Sequence, residues 1–337
     1  MRALCRRAVL FCLLLCPLLP SPSHAAHGKL DDVILVVESY NAEMPWDISY
    51  KEALQEGLGA RYRLEYVQMD TKRLPKAQHA AMADKAWARY LALRPVLVVL
   101  GDDAALSLLG PRLGATTTPV VYLGINNNPR AYFDGALVKN ITGVLERPVL
   151  KRNIALVKKL LPHTRSALVL FDTDITSQVV LRETFGGQRV QIIDGIRVEF
   201  RLIDNWEEWQ SAVLGARAEH DVLFVGLYQA LHDRAGKSVN LSDEVVRWTS
   251  EHTPIPPFCF WDWAVGANKA IGGLVLHGKE QGRAATEIAL KILSGTSPST
   301  IYPVTADRGR FLYSRKQLQR YHITLPPDLG DAVGLTD

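Results

Sequence analysis

The sequence predicts an α/β protein made of two doubly wound, Rossmann-like domains joined by three hinge crossings. Two series of apolar strand runs, each alternating with helix-patterned segments, point to parallel sheets covered by helices. The 337 residues exceed the ~100 to 200 that one domain usually holds. Three extended or proline-marked stretches fall where the chain would pass between the series.

The first series opens at 33–37, Val-Ile-Leu-Val-Val, the continuous β-branched run of a strand buried on both faces. Helix-patterned 50–58 and 77–93 follow, then strand runs 96–100 and 120–123. Met69 to Arg73 reads as a solvated loop. The second series comprises 167–171, 177–184, 191–200, 206–218, 222–226 and 243–251. The expected crossings are 141–148, where an extended stretch stops at Pro148; 254–258, Pro-Ile-Pro-Pro-Phe; and 296–303, after the helix pattern 281–293. The expected bounds are 1–25 for a leader, 28–145 with 262–297 for the first domain, and 146–261 with 298–330 for the second.

The leader rests on Arg2, Arg6 and Arg7 as a basic start, the apolar stretch 8–19, and Ser23-His24-Ala25 as a small-x-small cleavage site. Its apolar core is shorter than the ~20 residues of a membrane span. Cleavage near Ala25 predicts an exported chain, free in the periplasm. Lipidation at Cys16 is the alternative, but Leu15 stands where a lipoprotein signal carries a small residue. Loss of the leader removes Cys5, Cys12 and Cys16, leaves only Cys259, and so excludes an internal disulfide. It also leaves 36 Lys and Arg against 35 Asp and Glu, a balance that excludes nucleic-acid binding by bulk charge.

Reagents for catalysis are missing. Gly-x-Ser-x-Gly, a P-loop and a paired-histidine zinc helix are absent, and the nine histidines are scattered. Cys259 follows prolines and precedes Phe260 and Trp261, a setting for an inert thiol. The expectation is a binding protein with no catalytic residue, no metal and no cofactor.

A set of segments stands in order along the chain: Glu38-Ser39-Tyr40 with Pro45-Trp46; Met69-Asp70-Thr71-Lys72-Arg73; Gly101-Asp102-Asp103-Ala104-Ala105; Gly124-Ile125-Asn126-Asn127; and Asn140-Ile141-Thr142-Gly143-Val144-Leu145-Glu146. Gly272-Gly273, Glu280-Gln281-Gly282 and the ending 321–326 complete the set. Together they resemble the ABC-transporter substrate-binding family with the type 1 periplasmic-binding-protein fold, in the branch also found fused to bacterial sensor kinases. The resemblance implies a monomeric receptor that closes on a small-molecule solute and passes it to an ABC permease, or presents it to a membrane sensor. With no apolar segment of membrane-spanning length after the leader, and an end at Asp337 with no kinase or cyclase domain attached, a free receptor is expected.

The cleft should lie at the carboxyl ends of the strands. From the first domain that edge offers Ser39, Tyr40, Trp46 and Asp47, then Asp102 and Asp103, then Asn126 and Asn127, with Glu146 at the first crossing. From the second come Asp172 and Ser177, Tyr228 and Gln229, and Trp261 and Asp262. Aromatics beside carboxylates suit a solute carrying an ammonium group, an amino acid or related amine. Blander roles stand beside these. Asp103 suits a helix cap, the asparagines suit a turn, Glu146 a hinge brace, and Trp261 and Trp263, two apart on an extended segment, a shared core face.

Overall fold

The structure is a computed structural model that describes residues 31–136, 138–147, 149–239, 243–306, 309–329 and 333–337. The leader 1–25 with Cys16, and Pro148, lie outside the described residues.

The first unit runs β1 (Val33–Glu38), α1 (Pro45–Leu58), β2 (Arg63–Gln68), α2 (Lys76–Leu93), β3 (Leu97–Gly101), α3 (Asp102–Gly114), β4 (Val120–Ile125) and β5 (Ile141–Leu145). The second runs α4 (Leu150–Leu160), β6 (Ser166–Phe171), α5 (Ile175–Phe185), β7 (Val190–Ile193), β8 (Ile196–Leu202), α6 (Trp206–Gly215), β9 (Val222–Val225), α7 (Glu244–His252) and β10 (Pro257–Cys259). The chain finishes with β11 (Gly272–Val275), α8 (Gly278–Leu293), β12 (Val304–Thr305), β13 (Arg310–Ser314), α9 (Arg315–Arg320) and β14 (Gly334–Thr336).

The first sheet has the order β12-β5-β4-β3-β1-β2 and is parallel throughout. Every residue of β1, β3 and β4 is buried, because helices cover both faces. Alternation along β1 divides the contacts. Ile34 and Val36 join the core that holds Leu54 and Leu58 of α1 and Ala285 and Ile288 of α8. Leu35 and Val37 join Ala83 and Ala86 of α2 and Leu106 and Leu109 of α3. The α1–α8 seam is close: a side chain at Gly282 would put its Cβ 2.4 Å from the Tyr50 carbonyl oxygen.

The second sheet, β10-β9-β6-β8-β7, is parallel except for β7. Ala167, Val169 and Phe171 of β6 face one core, Leu168 and Leu170 the other. Phe224 stacks on Phe260 at 5.0 Å, and Phe171 on Phe200 at 4.8 Å, so aromatic rings fill this unit. A third, small sheet, β11-β13-β14, packs against α4 through β11. No helix among the described residues is long and apolar enough to cross a membrane.

The structure departs from the sequence reading in five places. β2 was not anticipated, because its residues are only half-buried and carry Arg63, Glu65 and Gln68. The run 191–200 is a hairpin, not one strand: Asp194 and Gly195 both have positive φ, 49° and 74°, as a two-residue primed turn requires. Residues 254–258 do not leave the second unit but lead from α7 into β10, and the chain passes toward α8 only after Cys259. Residues 296–303 connect α8 to β12, so Val304 and Thr305, expected in the second domain, form the edge of the first sheet. Finally, Met69, Thr71 and Lys72 are buried, not solvated.

Candidate functional site

The carboxyl ends of the two sheets face each other, and their loops enclose a narrow cavity. The first unit lines it with Tyr40, Met44 and Trp46 after β1, Lys72 after β2, Asp102 after β3 and Glu146 after β5. The second lines it with Thr176 after β6, Leu227 after β9, and Trp261 and Trp263 after β10. The volume, about 20 Å³, suits about one water. Hydrogen bonds close it from side to side. The Tyr40 hydroxyl lies 3.3 Å from Thr176 Oγ1, Arg182 Nη2 donates to Asn127 Oδ1 at 2.9 Å, and Trp261 Nε1 donates to Glu146 Oε1 at 3.0 Å.

Asp102 is the electrostatic centre. It begins α3 with φ 72°, left-handed backbone that aspartate tolerates better than most residues. Its Oδ1 accepts from the Tyr40 hydroxyl at 3.0 Å, while its Oδ2 is buried with no hydrogen-bond partner. Burial first, and then the neighbouring Asp103 carboxyl, push its pKa up to about 8, against the opposing pull of Lys72 and Tyr40. Glu146 is also held above the usual carboxylate range, by burial and then Asp102, although Trp261 and Asn126 donate to it. Asp174, beside Thr176, is shifted upward mainly by burial and held back by Lys72. Opposite these acids stands one ammonium, Lys72, 2% exposed, 4.4 Å from the Tyr40 ring centroid. Gly124 permits the crowding: with φ 72°, its missing Cβ would lie 3.2 Å from Asp102 Oδ2 and 3.5 Å from Trp46 Nε1.

Of the fifteen residues anticipated, Tyr40, Trp46, Asp102, Glu146 and Trp261 line the cavity. The others support it or lie apart. Ser39 Oγ donates to the Gly101 carbonyl at 2.6 Å and accepts the Ala105 N–H at 2.8 Å, tying β1 to the start of α3. Asp103 accepts the backbone N–H groups of Asn126 and Asn127 and the Tyr132 hydroxyl, and so fixes the loop after β4. Asn126 Nδ2 donates to Glu146 Oε2, and Asn127 is the partner of Arg182. Asp47, 1% exposed, lies among Glu38, Asp102 and Tyr50 without a hydrogen-bond partner, its pKa raised by burial and those acids. Asp172 accepts from the Ser177 hydroxyl at 2.5 Å and from the N–H groups of Asp174 and Ala230, which spends both residues on loop structure. Tyr228 is fully buried edge-on to Trp263, and Gln229 Oε1 accepts the Tyr228 N–H. Asp262 faces away toward His277 and Arg310, at 3.1 and 3.2 Å. Trp261 and Trp263 stack at 6.0 Å, with a helical turn rather than an extended segment between them.

Lys72 is the main residue that sequence reasoning missed. Its signal was available: if 63–68 is a parallel strand, 69–73 is a carboxyl-edge loop like the other three. Away from the cavity, Glu199, Glu219 and His220 bring ligand atoms within 4.8 Å of one another, yet Arg201 at 2.6 Å and Arg197 at 3.5 Å already balance Glu199.

No curated protein matches the chain in sequence. Among solved structures, an ABC domain from Streptococcus pneumonia in complex with L-Trp is similar over 91% of this chain and 99% of its own, at 19% identity and TM-score 0.68. A conserved domain protein from Vibrio cholerae is similar over 91% and 100%, at 17% identity and TM-score 0.69. CD0873 from Clostridium difficile, a substrate binding protein solved ligand-free and open, is similar over 90% and 98%, at 15% identity and TM-score 0.61. Two facing doubly wound units of this kind are the type 1 periplasmic-binding-protein fold. The family model described as ABC transporter substrate binding protein matches residues 115–332, well over half of the sequence, and the chain belongs to that family.

Proposed function

We propose that this protein captures an amino acid or related amine, with an aromatic or large apolar side chain, between its two units in the periplasm, and hands it to an ABC permease. The observation that carries the reading is the composition of the cavity. Asp102, its pKa pushed up to about 8, and Glu146, held above the usual carboxylate range by burial and then Asp102, sit among Tyr40, Trp46, Trp261 and Trp263. A solute ammonium group would supply the missing counter-charge, and the rings would cover an apolar side chain. The L-Trp bound by the pneumococcal domain is a solute of that description.

A cavity of about 20 Å³ is far below the ~300 Å³ of an ordinary ligand pocket, so capture requires the units to part and close again. The chain passes between the units after Leu145, after Cys259 and after Thr305, and such a motion would turn about these places. The test is thermal unfolding of residues 26–337, stripped of co-purified solute, against amino acids, amines, sugars and small anions. A ligand of the native state raises the midpoint. A rise confined to amines and amino acids supports the reading; a rise with sugars or anions alone refutes it.

A further inference from the structure

The loop 69–73 holds a lysine whose buried ammonium has no hydrogen-bond or ion-pair partner among the described residues. Asp70 N–H donates to the Tyr40 carbonyl, and both the N–H and the hydroxyl of Thr71 donate to the Ser39 carbonyl, each within 3.0 Å. Arg73 Nε clamps Asp70 at 2.8 Å. These bonds fix the loop to the end of β1 and turn Lys72 inward, onto the Tyr40 ring and into the cavity wall. There its Nζ makes no hydrogen bond, so up to three N–H donors are buried unsatisfied, a loss of the kind that folded proteins seldom keep without a use. Its field reaches Asp102, Asp174 and Asp47, all of which it pulls toward ionisation, but among the described residues no carboxylate pairs with it directly.

We propose that Lys72 anchors a carboxylate on the bound solute, so that the cavity selects zwitterionic amino acids, ammonium toward Asp102 and Glu146 and carboxylate on Lys72, over the corresponding simple amines. This rests on the amine-binding reading above and deepens it. A simple amine would satisfy the acids and leave the Lys72 ammonium bare. A zwitterion satisfies both and adds no net charge to the site.

The experiment compares matched pairs by calorimetry: L-tryptophan with tryptamine, L-tyrosine with tyramine, and L-leucine with isoamylamine, on the wild type, Lys72→Met and Lys72→Arg. The expected result is a wild-type preference for the amino acid in at least one pair of about tenfold or more, the scale of a hydrogen bond between charged groups. Lys72→Met should abolish that preference by weakening the amino acid and not the amine, and Lys72→Arg should retain part of it. Ligand-free Lys72→Met should remain folded, with a circular dichroism spectrum like that of the wild type, because the Lys72 ammonium makes no hydrogen bond that the substitution would break. If Lys72→Met folds and keeps the wild-type ratio, the anchor is refuted while the amine reading stands. Loss of the preference in Lys72→Arg as well as Lys72→Met, with both folded, would reduce Lys72 to a packing residue. If the wild type binds no amine or amino acid, both proposals fail together.

Discussion

Trp261 Nε1 donates to Glu146 Oε1 at 3.0 Å across 115 residues of sequence, joining the end of the second sheet to the end of the first. Glu146 thereby ties the end of β5 to the loop after β10, and it also lines the cavity. Glu146→Gln keeps an acceptor for the indole and removes the charge. It should fold with an unchanged far-ultraviolet circular dichroism spectrum and lose about tenfold or more in affinity for an ammonium-bearing solute. Calorimetric titration checks this, and unchanged affinity would leave Glu146 as a brace alone.

Asp102 makes stability depend on pH with a definite sign. Its folded-state pKa of about 8 lies above the ~3.9 of an unfolded aspartate, so between those values the folded chain holds a proton that the unfolded chain has released. Stability contributed by this group is therefore full below pH ~4 and falls as pH rises toward 8. His220, held below its usual pKa chiefly by burial, acts in the opposite sense but is common to both proteins. Ligand-free wild type should thus lose more melting temperature from pH 5 to pH 8 than Asp102→Asn does. Parallel curves for the two would place the Asp102 proton elsewhere.

Arg182 and Asn127 latch the units at 2.9 Å near the protein surface. Arg182→Ala should shift the population toward the open form, weakening solute binding by up to about tenfold while leaving the melting temperature of the ligand-free protein nearly unchanged. Stopped-flow kinetics should put the change mainly in dissociation. A loss confined to association would mean that Arg182 steers the solute and does not latch the units.

Gly282→Val drives a branched side chain against the Tyr50 carbonyl, where even a Cβ would lie 2.4 Å away. The expected cost is ~1–3 kcal/mol in denaturant unfolding, from helices forced apart. A neutral result would show that α1 and α8 slide without penalty.

The sequence made the fold legible because buried parallel strands announce themselves as apolar runs: 33–37, 96–100 and 120–123 each lie within or beside an observed strand. β2 was hidden for the same reason in reverse. As an edge strand it keeps polar residues, so the loop that follows it, and Lys72 with it, read as solvated and not as part of the cleft edge. The Asp194-Gly195 hairpin carried a recognisable turn signal that lay inside an otherwise unbroken run. Within the site, position along the chain identified which loops converge, but not which of two adjacent polar residues faces the cavity. Asp102 faces it and Asp103 binds the backbone behind it, a difference set by the left-handed turn at Asp102 that no spacing rule reports.

The seam between α1 and α8 also orders the birth of the molecule. The 219 residues between Leu58 and Gly278 include the whole stretch from α4 to β10. The face of α1 that carries Leu54 and Leu58 has no helical neighbour from α8 until nearly nine-tenths of the chain has been made. The amino-terminal part must therefore wait, open and apolar, for the carboxyl-terminal part. Such a long-range closure slows the final folding step, and until it is made the apolar face of α1 stays without its cover.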